Sequence, residues 1–270
     1  MILASFEWGV SPEIFSIGDF SIRWYGLLWA MSFMVGYYIM NRIFKSEGRT
    51  EKELDILTVY MVIGTVLGAR LGHCYFYHFD YYWANPLEVL QIWKGGLASH
   101  GAAIGILLSL WLYVRKKKDM TYLWILDKIV IVVALAAFFI RMGNFFNSEI
   151  IGQPADVPWA VILTRLSGEA GTIPRHPTQL YEAFTYLGIF IYLSTLYFRK
   201  KTHLKEGLLS GFFMVLIFSA RIIIEFFKEV QVPNEIDMML NYGQLYSIPI
   251  VLIGLFLIFR PGKTTAERNN

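Results

Sequence analysis

Three arginines, Arg70, Arg141 and Arg221, stand inside long apolar stretches of the sequence. An arginine at mid-membrane depth costs ~2.5–3.5 kcal/mol even on the lenient insertion scale. Its planar fork suits a phosphate better than a point charge does. Arg221 and Glu225 are spaced i, i+4, on one helix face where they can pair. Arg141, Asn144 and Asn147 climb at i, i+3 and i+6, with Glu149 two residues further on. Tyr25, His100, Gln179, Tyr181 and Glu182 map to the same half of the chain's apolar segments or to their rim. A polar cavity opening to one side is the simplest arrangement, and the phosphates available in a bilayer belong to lipid headgroups. The competing account is ion pairs between helices that only lock a bundle. His100 follows Gly95-Gly96 and precedes Gly101, where backbones can approach closely, and a structural or a proton-handling histidine both remain open there. His73 and His78 are five apart with no carboxylate or thiolate frame, so no metal site is expected. No GxSxG, HExxH or phosphate-binding glycine loop is found, and no cofactor is implied.

The elements that must position these residues follow from composition. The 270 residues are 56% apolar and 17% aromatic, with only 17% charged. Soluble domains carry ~25% charged residues, so a water-soluble globule is excluded. The formal charge of +3 is mild, and nucleic acid is not an expected partner. A spanning helix needs ~20 mostly apolar residues. Such runs fall at about 24–43, 56–77, 97–114, 122–142, 179–198, 207–227 and 244–259. The expected architecture is one all-α polytopic membrane domain over 1–270, with about seven transmembrane helices, interfacial arms and a small extracytoplasmic segment at 143–178.

Basic residues set the expected direction. The connectors Arg42–Lys52, Arg115–Lys118 and Arg199–Lys205, with Arg260, Lys263 and Arg268, hold fifteen of the 24 Lys and Arg. The opposite loops hold Arg23, Lys94, Arg165, Arg175 and Lys228. The N-terminus is therefore expected outside and the C-terminus in the cytoplasm. The first residues lack a basic start and include Glu7, Glu13 and Asp19, so the first span is expected to stay in the mature protein. Lys128 beside Asp127 is expected to snorkel or pair. Gly64, Gly68 and Gly72, with Gly101 and Gly105, form small-residue stripes for close helix packing. The aromatic stretch Phe79–Trp93 is expected to lie along an interface. Cys74, the one cysteine, excludes an intrachain disulfide and reads as a small buried apolar residue.

The segment Arg141–Gly152, RMGNFFNSEIIG, resembles the signature G-R-x-G-N-F-I-N-x-E-x-x-G of the bacterial prolipoprotein diacylglyceryl transferases. RWYGLLWA at Arg23–Ala30, GARLGHCYFYH at Gly68–His78, GGLASHGAAIG at Gly95–Gly105, RHPTQLYE at Arg175–Glu182 and ARIIIEFFK at Ala220–Lys228 agree in order. The chain departs from the pattern at Ile140 and Ala102, where glycines are usual, and at Ile217, where some members have a tyrosine. Its 152–178 segment is also shorter than in some members.

The resemblance implies transfer of the diacylglyceryl group of phosphatidylglycerol to the lipobox cysteine of a preprolipoprotein signal peptide. A thioether forms and glycerol 1-phosphate leaves, at the outer face of the bacterial plasma (inner) membrane. It places the important positions at Tyr25, His100, Arg141, Asn144, Glu149, Arg221 and Glu225. His100 would take the thiol proton, and Arg141 and Arg221 would hold the phosphodiester and stabilise its growing charge. Glu225 would hold Arg221 in register. Asn144 and Glu149 would orient the headgroup or the peptide, and Arg70 and Asn147 would join the substrate contacts. His176, Gln179, Tyr181 and Glu182 would support them. The rival class is a lipid flippase or transporter with an outward-facing polar cavity, although no repeat of the kind common in transporters is visible.

Overall fold

The computed structural model describes residues 6–18, 20–92, 95–117, 119–230, 235, 238–262 and 264. Asp19, Trp93, Lys94, Lys118, Lys263 and Arg268, which entered the expectations above, lie outside the described residues. Each expected span falls on a helix: α1 (Trp24–Ser46), α2 (Glu51–Tyr77), α4 (Ser99–Val114), α5 (Tyr122–Phe146), α6 (Thr178–Lys200), α7 (Leu208–Glu225) and α8 (Tyr242–Phe259). A short α3 covers Phe79–Ala84. Among the described residues α2, α5, α7 and α8 are long and apolar enough to cross a membrane, and α4 is apolar but shorter. Large apolar side chains of α2 and α8 stand outward, with Phe76, Phe256 and Phe259 65%, 66% and 79% exposed, whereas α5 turns most of its apolar side chains into the protein. Such faces are stable against lipid and not against water.

The all-α expectation is corrected by five short strands among the described residues: β1 (Phe6–Trp8), β2 (Glu13–Ile17), β3 (Phe20–Arg23), β4 (Val161–Leu163) and β5 (Pro174–Arg175). β1 pairs in parallel with β4, and β4 antiparallel with β5, while β2 and β3 form a separate hairpin. Strands of two to five residues hold too few alternations for a period of two to register. The β1–β4 pair also joins segments some 155 residues apart.

The chain divides into two compact units, Ile39–Leu126 and Met1–Tyr38 with Asp127–Asn270. In the first unit the glycine stripes do what their spacing predicts: α2 and α4 pack backbone to backbone. A Cβ added at Gly72 would lie 2.7 Å from Gly101 Cα, and one at Gly64 2.7 Å from the Gly105 carbonyl. Cys74 is fully buried. Thr50 and Glu53 close a capping box at the start of α2, which satisfies amides that a helix N-terminus leaves open. Glu53 also pairs with Lys117 at 2.9 Å, and Arg49 binds Asp119.

In the second unit Asp127 is buried and does more than accompany Lys128. Its carboxylate accepts from the Gly207 amide at 2.7 Å, the Ser210 amide at 2.8 Å and the Ser210 hydroxyl at 2.7 Å, and so caps α7 from α5. Lys128 Nζ lies over the Tyr197 ring. Gly211 and Gly254 bring α7 and α8 together, a Cβ on either falling 2.9 Å from the other's carbonyl oxygen. Phe145, Val161 and Leu163 form a small buried cluster with Trp8, Ile151, Leu166 and Leu180 packed against it. This cluster seats the chain just beyond α5, where the candidate site lies.

Candidate functional site

The site grows from the end of α5. Arg141 donates from Nη1 to Asn144 Oδ1 at 3.2 Å, and Asn144 Nδ2 donates to Glu149 Oε2 at 3.2 Å. Asn147 Nδ2 holds the other oxygen of Glu149 at 3.1 Å. The helical spacing of Arg141, Asn144 and Asn147 thus makes a continuous polar relay that ends on one carboxylate. Glu149 reaches back because the chain reverses around it: Ser148 and Ile150 both take left-handed φ values, 55° and 56°. A β-branched residue in that region is a genuine outlier, and such strain costs about 1–3 kcal/mol and collects at functional sites. Gln179 Nε2 donates to the Glu149 carbonyl at 2.7 Å and Thr178 Oγ1 to the Ile150 carbonyl at 3.3 Å, so the start of α6 fixes the reversal.

One turn along α6, Glu182 is fully buried and stands at the centre of the charges. Its Oε2 lies 2.9 Å from Arg141 Nε and its Oε1 3.0 Å from Lys228 Nζ, and Oε1 also accepts from the Tyr186 hydroxyl at 3.2 Å. Lys228 Nζ donates a second time, to Glu225 Oε2 at 2.9 Å. Both Arg141 and Arg221 lie within electrostatic reach of the Tyr186 hydroxyl. Tyr25, in the first turn of α1, is within reach of Arg141 and Glu149, and its ring closes against Gly143, where an added Cβ would fall 2.7 Å from Tyr25 Cδ2.

Glu225 was expected to pair with Arg221, and this is corrected. The i, i+4 spacing does put them on one face of α7, but Glu225 is buried and taken by Lys228. Among the described residues no carboxylate forms an ion pair with Arg221. Lys228 and Tyr186 were not singled out from the sequence. Lys228 was counted as a loop charge, although its place three residues after Glu225 is a visible signal.

Arg70 as a substrate contact is also corrected. It is 2% exposed and turns toward its own unit's backbone. Nε donates to the Val89 carbonyl at 2.9 Å, Nη1 to the Gly95 carbonyl at 2.6 Å, and Nη2 to the Glu88 carbonyl at 2.6 Å, with the guanidinium 5.1 Å above the Tyr82 ring. Gly95 and Gly96 take φ values of 82° and 75°, and a Cβ on Gly96 would collide with the His73 ring. Arg70 is therefore a clasp on the aromatic arm, and the Gly-Gly pair serves that clasp. His100 is exposed in the first turn of α4, in the same unit as Arg70.

His176 and Tyr181 form a chain of their own: Trp159 Nε1 donates to the Tyr181 hydroxyl at 2.7 Å, which lies 3.1 Å from His176 Nδ1. The His176 ring also packs edge-on against Phe227, with centroids 5.1 Å apart. Six of the predicted residues, Arg141, Asn144, Asn147, Glu149, Glu182 and, through Lys228, Glu225, thus share one bonded network, with Gln179 attached at the Glu149 carbonyl. Among the described residues no group of three or more His, Cys, Asp or Glu is placed to hold a metal ion.

A family model described as prolipoprotein diacylglyceryl transferase matches residues 12–260. The chain belongs to that family. Similar relatives named phosphatidylglycerol–prolipoprotein diacylglyceryl transferase occur in several bacteria. That of Chloroherpeton thalassium is 46% identical over 256 residues, covering 95% of this chain and 94% of the relative. That of Tolumonas auensis is 45% identical over 260 residues, covering 96% and 99%. That of Bacteroides fragilis is 41% identical over 274 residues, covering 97% of each. As a prolipoprotein diacylglyceryl transferase family member, the chain carries its charged network on the family's own stretch, since the match includes Arg141, Glu149, Glu182, Arg221 and Lys228.

Proposed function

We propose that this chain transfers the diacylglyceryl group of phosphatidylglycerol to the thiol of a preprolipoprotein's lipobox cysteine. The observation that carries this reading is Arg221, a guanidinium on an apolar helix with no carboxylate partner among the described residues, in a chain of this family. A cation held in such a place is suited to a phosphodiester.

In the proposed step the cysteine sulfur attacks the glycerol carbon that bears the phosphate. The S–C bond forms, the C–O bond breaks, and the bond's electrons leave with the phosphate oxygen as glycerol 1-phosphate. The thiol must lose its proton, because the thiolate is the nucleophile. His100, an imidazole at a position the resemblance marks as important, is assigned that proton. Arg141 and Arg221 hold the phosphodiester and offset the charge that grows on the leaving oxygen. Asn144 and Glu149, fixed by the relay from Arg141, orient the headgroup or the peptide, and Tyr25 stands beside them. Glu182 and Gln179 hold Arg141 and Glu149 in place. His176 and Tyr181 support the neighbouring segment. The leaving group is already a phosphate ester, so the chemistry asks for no metal or organic cofactor, and nucleic acid is no partner.

We place the whole chain as one integral domain of the bacterial plasma membrane, with seven spans, the N-terminus outside and the C-terminus in the cytoplasm. The excess of Lys and Arg in one set of connectors supports that direction. The chemistry then faces the extracytoplasmic side, where segment 143–178 lies. A flippase is not favoured, because the chain belongs to a transferase family. The test is purified protein in detergent with phosphatidylglycerol and a lipobox peptide. A peptide gaining a thioether-linked diacylglyceryl group supports the reading, and lipid translocation without product overturns it.

A further inference from the structure

We infer that Lys228 is a positioning residue that keeps Arg221 available for an anionic headgroup by taking the carboxylate that would otherwise neutralise it. This deepens the functional reading above and rests on it. Lys228 is 5% exposed and its ammonium lies between two acids, 2.9 Å from Glu225 Oε2 and 3.0 Å from Glu182 Oε1. A lysine so deeply buried is retained only where its charge is matched.

Glu225 has two cations within its reach along the chain. Arg221 is one turn back, at the i−4 position from which arginine and glutamate pair on a helix. Lys228 is three residues ahead, beyond the helix C-terminus, where a cation also faces the helix dipole favourably. Inside a poorly screening interior a carboxylate's choice between two cations decides which one is left over. Here the choice goes to Lys228, and its backbone leaves little freedom to reverse it. Lys228 bridges Gly152, the Gln153 amide donates to the Phe227 carbonyl at 2.9 Å, and the Glu229 amide to the Ile151 carbonyl at 3.1 Å. From the other side the start of α8 closes on the acid, since a Cβ at Gly243 would lie 3.0 Å from Glu225 Cδ.

The charges then balance in a particular way. Arg141 and Lys228 are met by Glu182 and Glu225, and Glu149 is held by Asn144 and Asn147, so among the described residues Arg221 is left without a carboxylate in ion-pair contact. A phosphodiester offers Arg221 the direct anionic partner that Glu225 does not. Lysine suits the bridging role because its ammonium is a compact centre with three rotatable donors, while the guanidinium fork is kept for the phosphate.

The test compares Lys228→Met, Lys228→Arg and the pair Lys228→Met/Glu225→Gln, with each variant's thermal unfolding followed in detergent. For Lys228→Met the account expects the KM for phosphatidylglycerol to rise about tenfold or more, a charge contact's worth, with kcat falling less. Lys228→Arg keeps KM within about threefold, and removing Glu225's charge from the Met variant brings KM back toward the wild type. A Met variant with unchanged KM, or a double variant no better than the Met variant alone, overturns the inference. If Lys228→Met does not fold, the Arg and double variants still decide it. A wild-type protein that binds phosphatidylglycerol in calorimetry but forms no thioether overturns the functional reading instead, and the same variants' phosphatidylglycerol affinities then test Lys228.

Discussion

Arg141 Nε and Glu182 Oε2 stand 2.9 Å apart, joining the end of α5 to the first turns of α6 with an acid that is fully buried. The pair holds the base of the relay through Asn144 to Glu149. Removing the acid strands both Arg141 and Lys228. Breaking a buried pair from one side costs ~3–5 kcal/mol. Glu182→Ala is therefore expected to lower unfolding stability in detergent by about that amount, and Glu182→Gln, which keeps hydrogen-bonding capacity, by less. Equal stability of Glu182→Ala and wild type would show that the cluster holds nothing together.

Arg70 tests the clasp. Lysine supplies charge but not a fork that can reach the Glu88, Val89 and Gly95 carbonyls together. Hydrogen exchange of amides in 79–92 is expected to quicken in Arg70→Lys, since each lost bond is worth ~1.5–3 kcal/mol when the donor is charged. Unchanged exchange alongside a raised KM for phosphatidylglycerol would return Arg70 to the lipid.

The glycine stripe allows a paired comparison. A methyl group at Gly68 would meet the Gly101 carbonyl oxygen, whereas one at Gly188 meets nothing within 4 Å. Gly68→Ala should destabilise the fold by about 1–3 kcal/mol through forced separation of α2 and α4. Gly188→Ala should be neutral or stabilising by up to ~1 kcal/mol from helix propensity. Melting temperatures of the two variants measured side by side give the answer, and a lower value for Gly188→Ala would contradict the packing described here.

The Arg49 guanidinium, just before α2, holds the carboxyl of Asp119, on the connector before α5, below its ordinary range through a direct hydrogen bond. A lowered value means the folded state favours the ionised form. The contribution is present above the unfolded value of about 3.9 and fades as pH falls through the lowered folded value. Because Asp119 is 64% exposed, solvent screens the pair and the effect is small. The melting temperature gap between wild type and Asp119→Asn should shrink progressively as pH is lowered from neutral to below the unfolded value of about 3.9. A gap that widens on acidification would contradict the sign.

Much of this was legible before any coordinates. The apolar runs marked the helices, and the i, i+4 repeat of Gly64, Gly68 and Gly72 marked the α2–α4 contact, because both are local patterns. The spacing of Arg141, Asn144 and Asn147 likewise showed one face. Partners were less legible, since an arginine's depth does not say whether it meets lipid phosphate or backbone carbonyls, and Arg70 meets carbonyls. The Arg221–Glu225 spacing identified a possible pair but not the competitor, because Lys228 reaches Glu225 from beyond the helix end. The β1–β4 pairing was hidden by its short strands and long separation.

The central claim is that Arg141 and Arg221 act on the phosphate of one lipid headgroup. Its most direct test is turnover of phosphatidylglycerol with a lipobox peptide by Arg221→Gln, a variant checked to melt like the wild type. The account predicts that kcat falls about 10²–10³-fold, the scale of losing one donor that stabilises developing negative charge. A folded Arg221→Gln protein that forms the thioether at the wild-type rate would contradict it.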